Sequence, residues 1–204
     1  MLSFISDPNS LVKEASLQVL IKIIETFNSK EIEEIIRPKK MMTDLLDEIK
    51  LRRPSASVKG AIWQLVGLLH SHYDNAVNEF LEESQDVMYI NLEEQVRTEK
   101  PEIKAIVGLF KGLQASLNVG CTLEQKQLDG LFLMLRTTVT PLEEVHNRAV
   151  MKAAMKLMSA HANLFTDQIL HHAHDLITLA LKLCVMENIE VRDTANEMLG
   201  SLIM

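Results

Sequence analysis

The chain has 204 residues, of which 47% are hydrophobic, 24% charged and only 4% aromatic; this excludes a disordered or fibrous polymer and leaves enough apolar material to bury a sizeable core. Lys and Arg number 21 against 28 Asp and Glu, a net charge of −7, which excludes a surface given over wholly to nucleic acid but not a local basic patch. No apolar run reaches the roughly 18 residues of a membrane span, and the start MLSFISDPNS lacks the basic and apolar regions of a signal peptide. Cys121 and Cys184 have no CxxC partners, so the reading is a soluble intracellular chain in a reducing compartment.

The elements in chain order are helical. Leu11, Ala15, Val19, Leu20, Ile23, Ile24 and Phe27 recur at steps of three and four, which predicts a helix over 10–27 with that set on its buried face and Lys13, Glu14, Gln18, Lys22 and Glu25 elsewhere. Asn9 or Ser10 suits its N-cap. A return helix follows over 31–51, broken around Pro38. Next come helices over 56–72, where His70 and His72 meet the last carbonyls, then over 75–98, 101–117 and 123–136. The last are 141–162, with Thr140 as a cap, then 167–186 and 189–204. Pro8, Pro54, Pro101 and Pro141 each fall just before an apolar helix, where a missing N–H costs little. Seven glycines and five prolines are too few for the turns of a β-protein, and the expected class is all-α.

A local pattern recurs at the start of the first helices: an aliphatic anchor, a cation within three places, and a small or aliphatic residue at or near the fourth. It reads Leu11, Lys13, Ala15; Val58, Lys59, Ile62; Ile103, Lys104, Val107; Val145, Arg148, Ala149; and Val191, Arg192, Ala195. The anchors are spaced by 47, 45, 42 and 46 residues, the period of HEAT and armadillo arrays. The expected architecture is therefore an α-solenoid with repeats at about 7–53, 54–100, 101–139, 140–187 and a partial 188–204. One helix pair cannot bury its own apolar stripe, so successive pairs stack over a shared core. The chain stops within the apolar run Ser201–Met204, which predicts a piece of a longer array with apolar surface at its ends.

Catalytic chemistry finds no support. GxSxG, GxxxxGK[ST], GxGxxG, HRD and DFG are all absent. His171 and His174 lie three apart on one expected helical face, but zinc needs further ligands, and no metal site, catalytic residue or cofactor is assigned. Glu33-Glu34, Glu82-Glu83, Glu93-Glu94 and Glu143-Glu144 read as solvated surface, His161 as a packing residue, and Met151, Met155 and Met158 as core. One feature stands out. Between Arg37 and Lys59, seven cations (Arg37, Lys39, Lys40, Lys50, Arg52, Arg53, Lys59) face three acids (Asp44, Asp47, Glu48), a local charge of +4. Such a stretch can hold phosphates without reading bases. Arg52-Arg53-Pro54-Ser55 also has the form of a basophilic kinase site. Residues 79–102 carry eight acids and two bases and suit a basic partner.

ASLQVLIKIIETF (15–27), LVGLL (65–69), KPEIKAIVGLFKGLQASL (100–117), SAHANLF (159–165) and IEVRDTANEMLGSLI (189–203) form a collinear set. On these the chain resembles the N-terminal HEAT-repeat region of the catalytic subunits of DNA-dependent protein kinases, within the PI3-kinase-related kinase superfamily. The resemblance implies a non-catalytic scaffold segment of a large nuclear serine/threonine kinase whose kinase domain lies elsewhere. It also implies partners: the Ku heterodimer, double-stranded DNA ends in non-homologous end joining, and the remaining HEAT repeats of the parent chain. The family has a basic run before the helix that here contains LVGLL. Lys50, Arg52 and Arg53 match it, with Leu51 interrupting the run and Pro54 and Ser55 following. With Lys39 and Lys40 they are the candidate DNA- or partner-binding residues. The alternative is a HEAT/armadillo adaptor gripping a basic peptide or helix.

Overall fold

The computed structural model describes residues 7–27, 29–52, 54–139 and 148–203, and among them every regular element is a helix. Packing divides the chain into two compact units, Met1–Thr122 and Leu123–Met204.

In the first unit, α1 (Ser10–Thr26) starts where Asn9 accepts a hydrogen bond from the Leu11 N–H at 3.0 Å, the expected cap. The expected buried face is corrected. Lys13, Leu17, Leu20, Ile21 and Ile24 are buried, while Leu11, Val19 and Phe27 are 73%, 58% and 54% exposed. Apolar residues surround most of this helix, so its period alone cannot select a face; the packed neighbour α4 does. Lys13 is tolerated inside because Glu48 meets it there.

The return segment breaks as the proline requires. Helix α2 (Ser29–Ile36) ends at Arg37, which takes φ 51°, and α3 (Pro38–Arg52) begins with the proline at its first position. Helix α4 (Ala56–Val77) is apolar on all sides because α1, α3 and α6 pack around it. It runs past the expected end at residue 72, bending at Tyr73 (φ −130°, ψ 35°) and giving way to a 3-10 turn over Asn78–Phe80. His70 therefore lies inside the helix rather than at its carbonyl end, fully buried, and neither ring nitrogen has a hydrogen-bond partner among the described residues. Helix α5 (Leu81–Arg97) and helix α6 (Ile103–Leu117) complete the unit. Buried Gln85 ties the link after α6 to α5: it donates to Gly120 O at 2.7 Å and accepts from the Thr122 N–H at 2.9 Å.

The most extensive contact in this unit is α4 on α6, and glycine makes it possible. A Cβ on Gly60 would overlap the carbonyl oxygen of Lys104, one on Gly108 that of Gly60, and one on Gly112 that of Trp63. A Cβ on Gly67 would sit 2.7 Å from Gly112 Cα. The two helices thus meet backbone to backbone.

The second unit holds α7 (Gln125–Val139), α8 (Arg148–Ala160), a 3-10 turn over Ala162–Phe165, α9 (Thr166–His171), α10 (Ala173–Cys184) and α11 (Ile189–Ile203). The expected cap Thr140 and the expected helix start at Pro141 and Val145 lie outside the described residues. The expected single helix over 167–186 is two, separated at His172 (φ −111°, ψ 15°). Helix α11 packs on both α8 and α10; Met155 and Met158 are core residues as their spacing suggests, whereas Met151 is only half-buried. No helix among the described residues is long and apolar enough to cross a membrane.

Candidate functional site

Helix α3 carries the basic stretch. Its buried side is Pro38, Met41, Met42, Leu45, Leu46 and Glu48, which pack toward α4 and leave Lys39, Lys40, Lys50 and Arg52 exposed. Lys39 and Lys50 are eleven residues apart; at 100° per residue that is three turns plus about 20°, so they share a stripe roughly 16 Å long. Lys50 and Arg52 also sit in the last turn, where cations complement the negative end of the helix.

The stripe is not bare. Lys39 Nζ lies 2.6 Å from a Glu79 carboxylate oxygen, and Lys50 is ion-paired with Glu83. Arg52 Nε lies 3.5 Å from Glu48 Oε2, while the other Glu48 oxygen takes Lys13. Glu48 is only 4% exposed, so this carboxylate joins α1 to α3 inside the unit and draws Arg52 along the helix. Lys40 is exposed and has no ion pair among the described residues. Arg53 lies outside the described residues. The structure thus gathers Lys39 and Lys50 on one stripe, sets Arg52 against α3 itself, and gives three of the cations an internal carboxylate.

The acidic stretch is engaged in the same way. Glu79 and Glu83 face α3, Glu93 holds Arg97 at 2.8 Å, and Glu102 holds Lys59 at 2.8 Å. Glu79, Glu83 and Glu102 of the acidic run are thus taken by cations of the basic run, which reduces the acid available to a basic peptide. A second polar seam crosses α1, α4 and α6. Lys104 Nζ donates to Glu14 at 3.1 Å, Gln64 to Glu25 at 3.4 Å and Lys111 to Gln64 at 3.3 Å. The Ser57 hydroxyl and then Lys104 hold the Glu14 carboxyl below its ordinary range by hydrogen bonds to the charged form.

In the second unit, Arg136 meets His172 Nδ1 at 2.9 Å, and that imidazole stacks on Phe132 with centroids 5.9 Å apart. An open cleft of about 410 Å³ runs beside Arg136, His174, Asp175, Thr178 and Lys182. The break at His172 separates His171 from His174, so they do not share a continuous helical face. Among the described residues no three His, Cys, Asp or Glu side chains come together as a metal site.

Sequence reasoning missed Glu79 and Glu83 as partners, because pairing across 33 to 40 residues depends on how two helices dock. Glu48 was visible in principle, four residues before Arg52, the spacing of a helical ion pair.

A model of the family described as DNA-PKcs, N-terminal, matches residues 2–204. The chain belongs to the DNA-PKcs N-terminal family. It is similar to the mouse DNA-dependent protein kinase catalytic subunit, 23% identical over 213 residues, covering 98% of this chain and 5% of the mouse protein. It thus spans about a twentieth of that relative's length. The matched part is the family's N-terminal region, and an all-helical chain of this kind holds no kinase domain among its described residues.

Proposed function

We propose that this chain is a non-catalytic scaffold segment of a DNA-dependent protein kinase catalytic subunit, acting in the nucleus to support DNA-end and Ku binding in double-strand break repair by non-homologous end joining. The observation that carries this reading is the family match along residues 2–204. Repeats at about 7–53, 54–100, 101–139, 140–187 and 188–204 supply helical layers that dock on the remaining repeats of the parent chain.

Double-stranded DNA is held through phosphates by Lys50, Arg52 and Arg53, with Lys39 and Lys40 further along α3. Glu79 and Glu83 already neutralise Lys39 and Lys50, so DNA must displace carboxylates to gain them. Binding by this segment is then weak, and its salt dependence is shallow, because few phosphates are neutralised.

The test is anisotropy of a short labelled duplex at low and moderate salt. Changing Lys50, Arg52 and Arg53 together to Glu lowers affinity at least tenfold at low salt, on the order expected for losing several phosphate contacts. The Glu83→Gln variant raises affinity by freeing Lys50. Unchanged binding in the triple variant, with its helical circular dichroism intact, removes these residues from any DNA role.

A further inference from the structure

We propose that Ser55 is a phosphoacceptor for a basophilic serine kinase and that its phosphorylation switches off the basic edge of α3. Ser55 is the only serine or threonine in the chain with basic residues at both the second and third positions before it, Arg53 and Arg52. It lies in the link between α3 and α4, exposed, with φ −61° and ψ 158°, the extended backbone that a kinase cleft accepts. Ser55 stands at the N-cap position of α4, yet its hydroxyl makes no capping hydrogen bond. Among the described residues its Oγ has a hydrogen-bond contact with the Ser57 hydroxyl at 3.4 Å, a long contact on the exposed side. The Arg52 side chain is 54% exposed and, among the described residues, held by Glu48 at 3.5 Å, so a kinase can reach it.

In the step itself Ser55 Oγ attacks the γ-phosphorus of ATP and forms an O–P bond as the bond to the ADP oxygen breaks. The hydroxyl proton leaves to a base of the kinase, and the products are phosphoserine, ADP and a proton. The new group carries about −1.5 to −2 charge near neutral pH. The stretch from Arg37 to Lys59 then falls from +4 to roughly +2. The phosphate competes with Glu102 for Lys59 one helical turn on, and stands near Glu14 through their shared neighbour Ser57. DNA phosphates meet a weaker and partly occupied cationic edge. This consequence rests on the DNA reading above, whereas the acceptor assignment does not.

The experiment treats the full chain with MgATP and a purified serine kinase that selects arginine two and three places before its acceptor. Intact mass and peptide mass spectrometry then read the product. The expected result is one added phosphoryl group on Ser55, lost in Ser55→Ala and in the Arg52→Ala, Arg53→Ala double variant. No incorporation, or incorporation that survives Ser55→Ala undiminished, overturns the assignment. The phosphorylated chain is next compared with the kinase-treated Ser55→Ala variant for duplex binding. The expectation is about tenfold weaker binding at low salt for the loss of two net charges, with the variant unaffected. Equal affinity overturns the switch. If the untreated chain binds no duplex at all, the DNA reading fails and the switch with it, while the mass result still decides the acceptor.

Discussion

The two units stack helices by different means. In the first, α4 and α6 touch through glycine backbone, a buried ion pair joins α1 to α3, and an imidazole is enclosed without a hydrogen-bond partner. In the second, α11 packs on α8, whose buried side includes Val150, Ala153, Ala154, Met155 and Met158, while α11 buries Val191, Thr194, Ala195 and Met198, and Gly200 has nothing within 4 Å of its absent Cβ among the described residues. Their ion pair, Lys152 with Glu190, is largely outside. Backbone contact and buried charge admit one arrangement and tolerate little change. Flexible side chains such as methionine can refill a seam after a substitution.

The sharpest way to break that contrast is to add one methyl group. Gly108→Ala drives a Cβ into the carbonyl of Gly60, where no side chain can rotate away. Overpacking of this kind costs about 3 kcal/mol or more. Trp63, the only tryptophan, is buried on α4 beside this seam, so its fluorescence follows the first unit during urea unfolding. A midpoint that does not move would show that the helices can part cheaply, and the contrast would be lost.

Charge offers the next comparison. Glu48→Ala leaves Lys13 enclosed without its carboxylate, at a cost of about 2–3 kcal/mol, below the range for a deeply buried pair because the ammonium lies close to the surface. Glu190→Ala removes an exposed pair and should leave the urea midpoint followed by helical circular dichroism where it was. Equal effects from the two substitutions would contradict the distinction between an internal and an external ion pair.

His70 makes the same point through pH. Burial lowers its pKa from 6.5 to about 4, against a smaller opposing pull from Asp74. The unfolded chain therefore binds a proton that the folded chain refuses between those values, and stability falls as pH drops through that window. At pH 5 the loss is about 2 kcal/mol, and it approaches about 3 kcal/mol at pH 4. Glu14 works in a separate range: its lowered pKa gives stability that persists above the ordinary carboxylate value and is lost at more acid pH. His70→Leu should flatten the slope between pH 6.5 and 5 in Trp63-detected unfolding. A wild-type curve already flat there would mean that the imidazole has found a partner.

These features also mark where the sequence could be read and where it could not. The all-α class, the break at Pro38 and the Asn9 cap follow from local chemistry: a lost N–H, a side-chain acceptor, a period of 3.6. The inward face of α1 did not, because Leu11, Val12, Val19 and Phe27 are as apolar as Leu17, Leu20, Ile21 and Ile24, and only the docked neighbour decides between them. The basic stretch was legible as charge but not as a site. Its spacing on α3 is a property of one helix, whereas its neutralisation by Glu79 and Glu83 depends on the packing of α3 beside residues more than 30 positions away. The glycine seam was in plain view as composition, yet nothing in Gly60 or Gly108 alone says that another backbone lies against it.

The mildest test turns on that last ambiguity. Gly200 lies in the final turns of α11, exposed, with open space where a Cβ would go. Alanine there meets no clash and removes backbone freedom from the unfolded chain, which raises helix stability by up to about 1 kcal/mol in a helix interior. Near a fraying end the gain shrinks to about 0.5 kcal/mol. Gly200→Ala should therefore raise the thermal midpoint followed by helical circular dichroism, by a degree or a few, while Gly108→Ala lowers it. The sign matters more than the size. The same substitution, in helices of the same 15-residue length, is stabilising or disruptive according to whether a neighbouring backbone occupies the space. A loss of stability at Gly200 would mean that this face of α11 is covered.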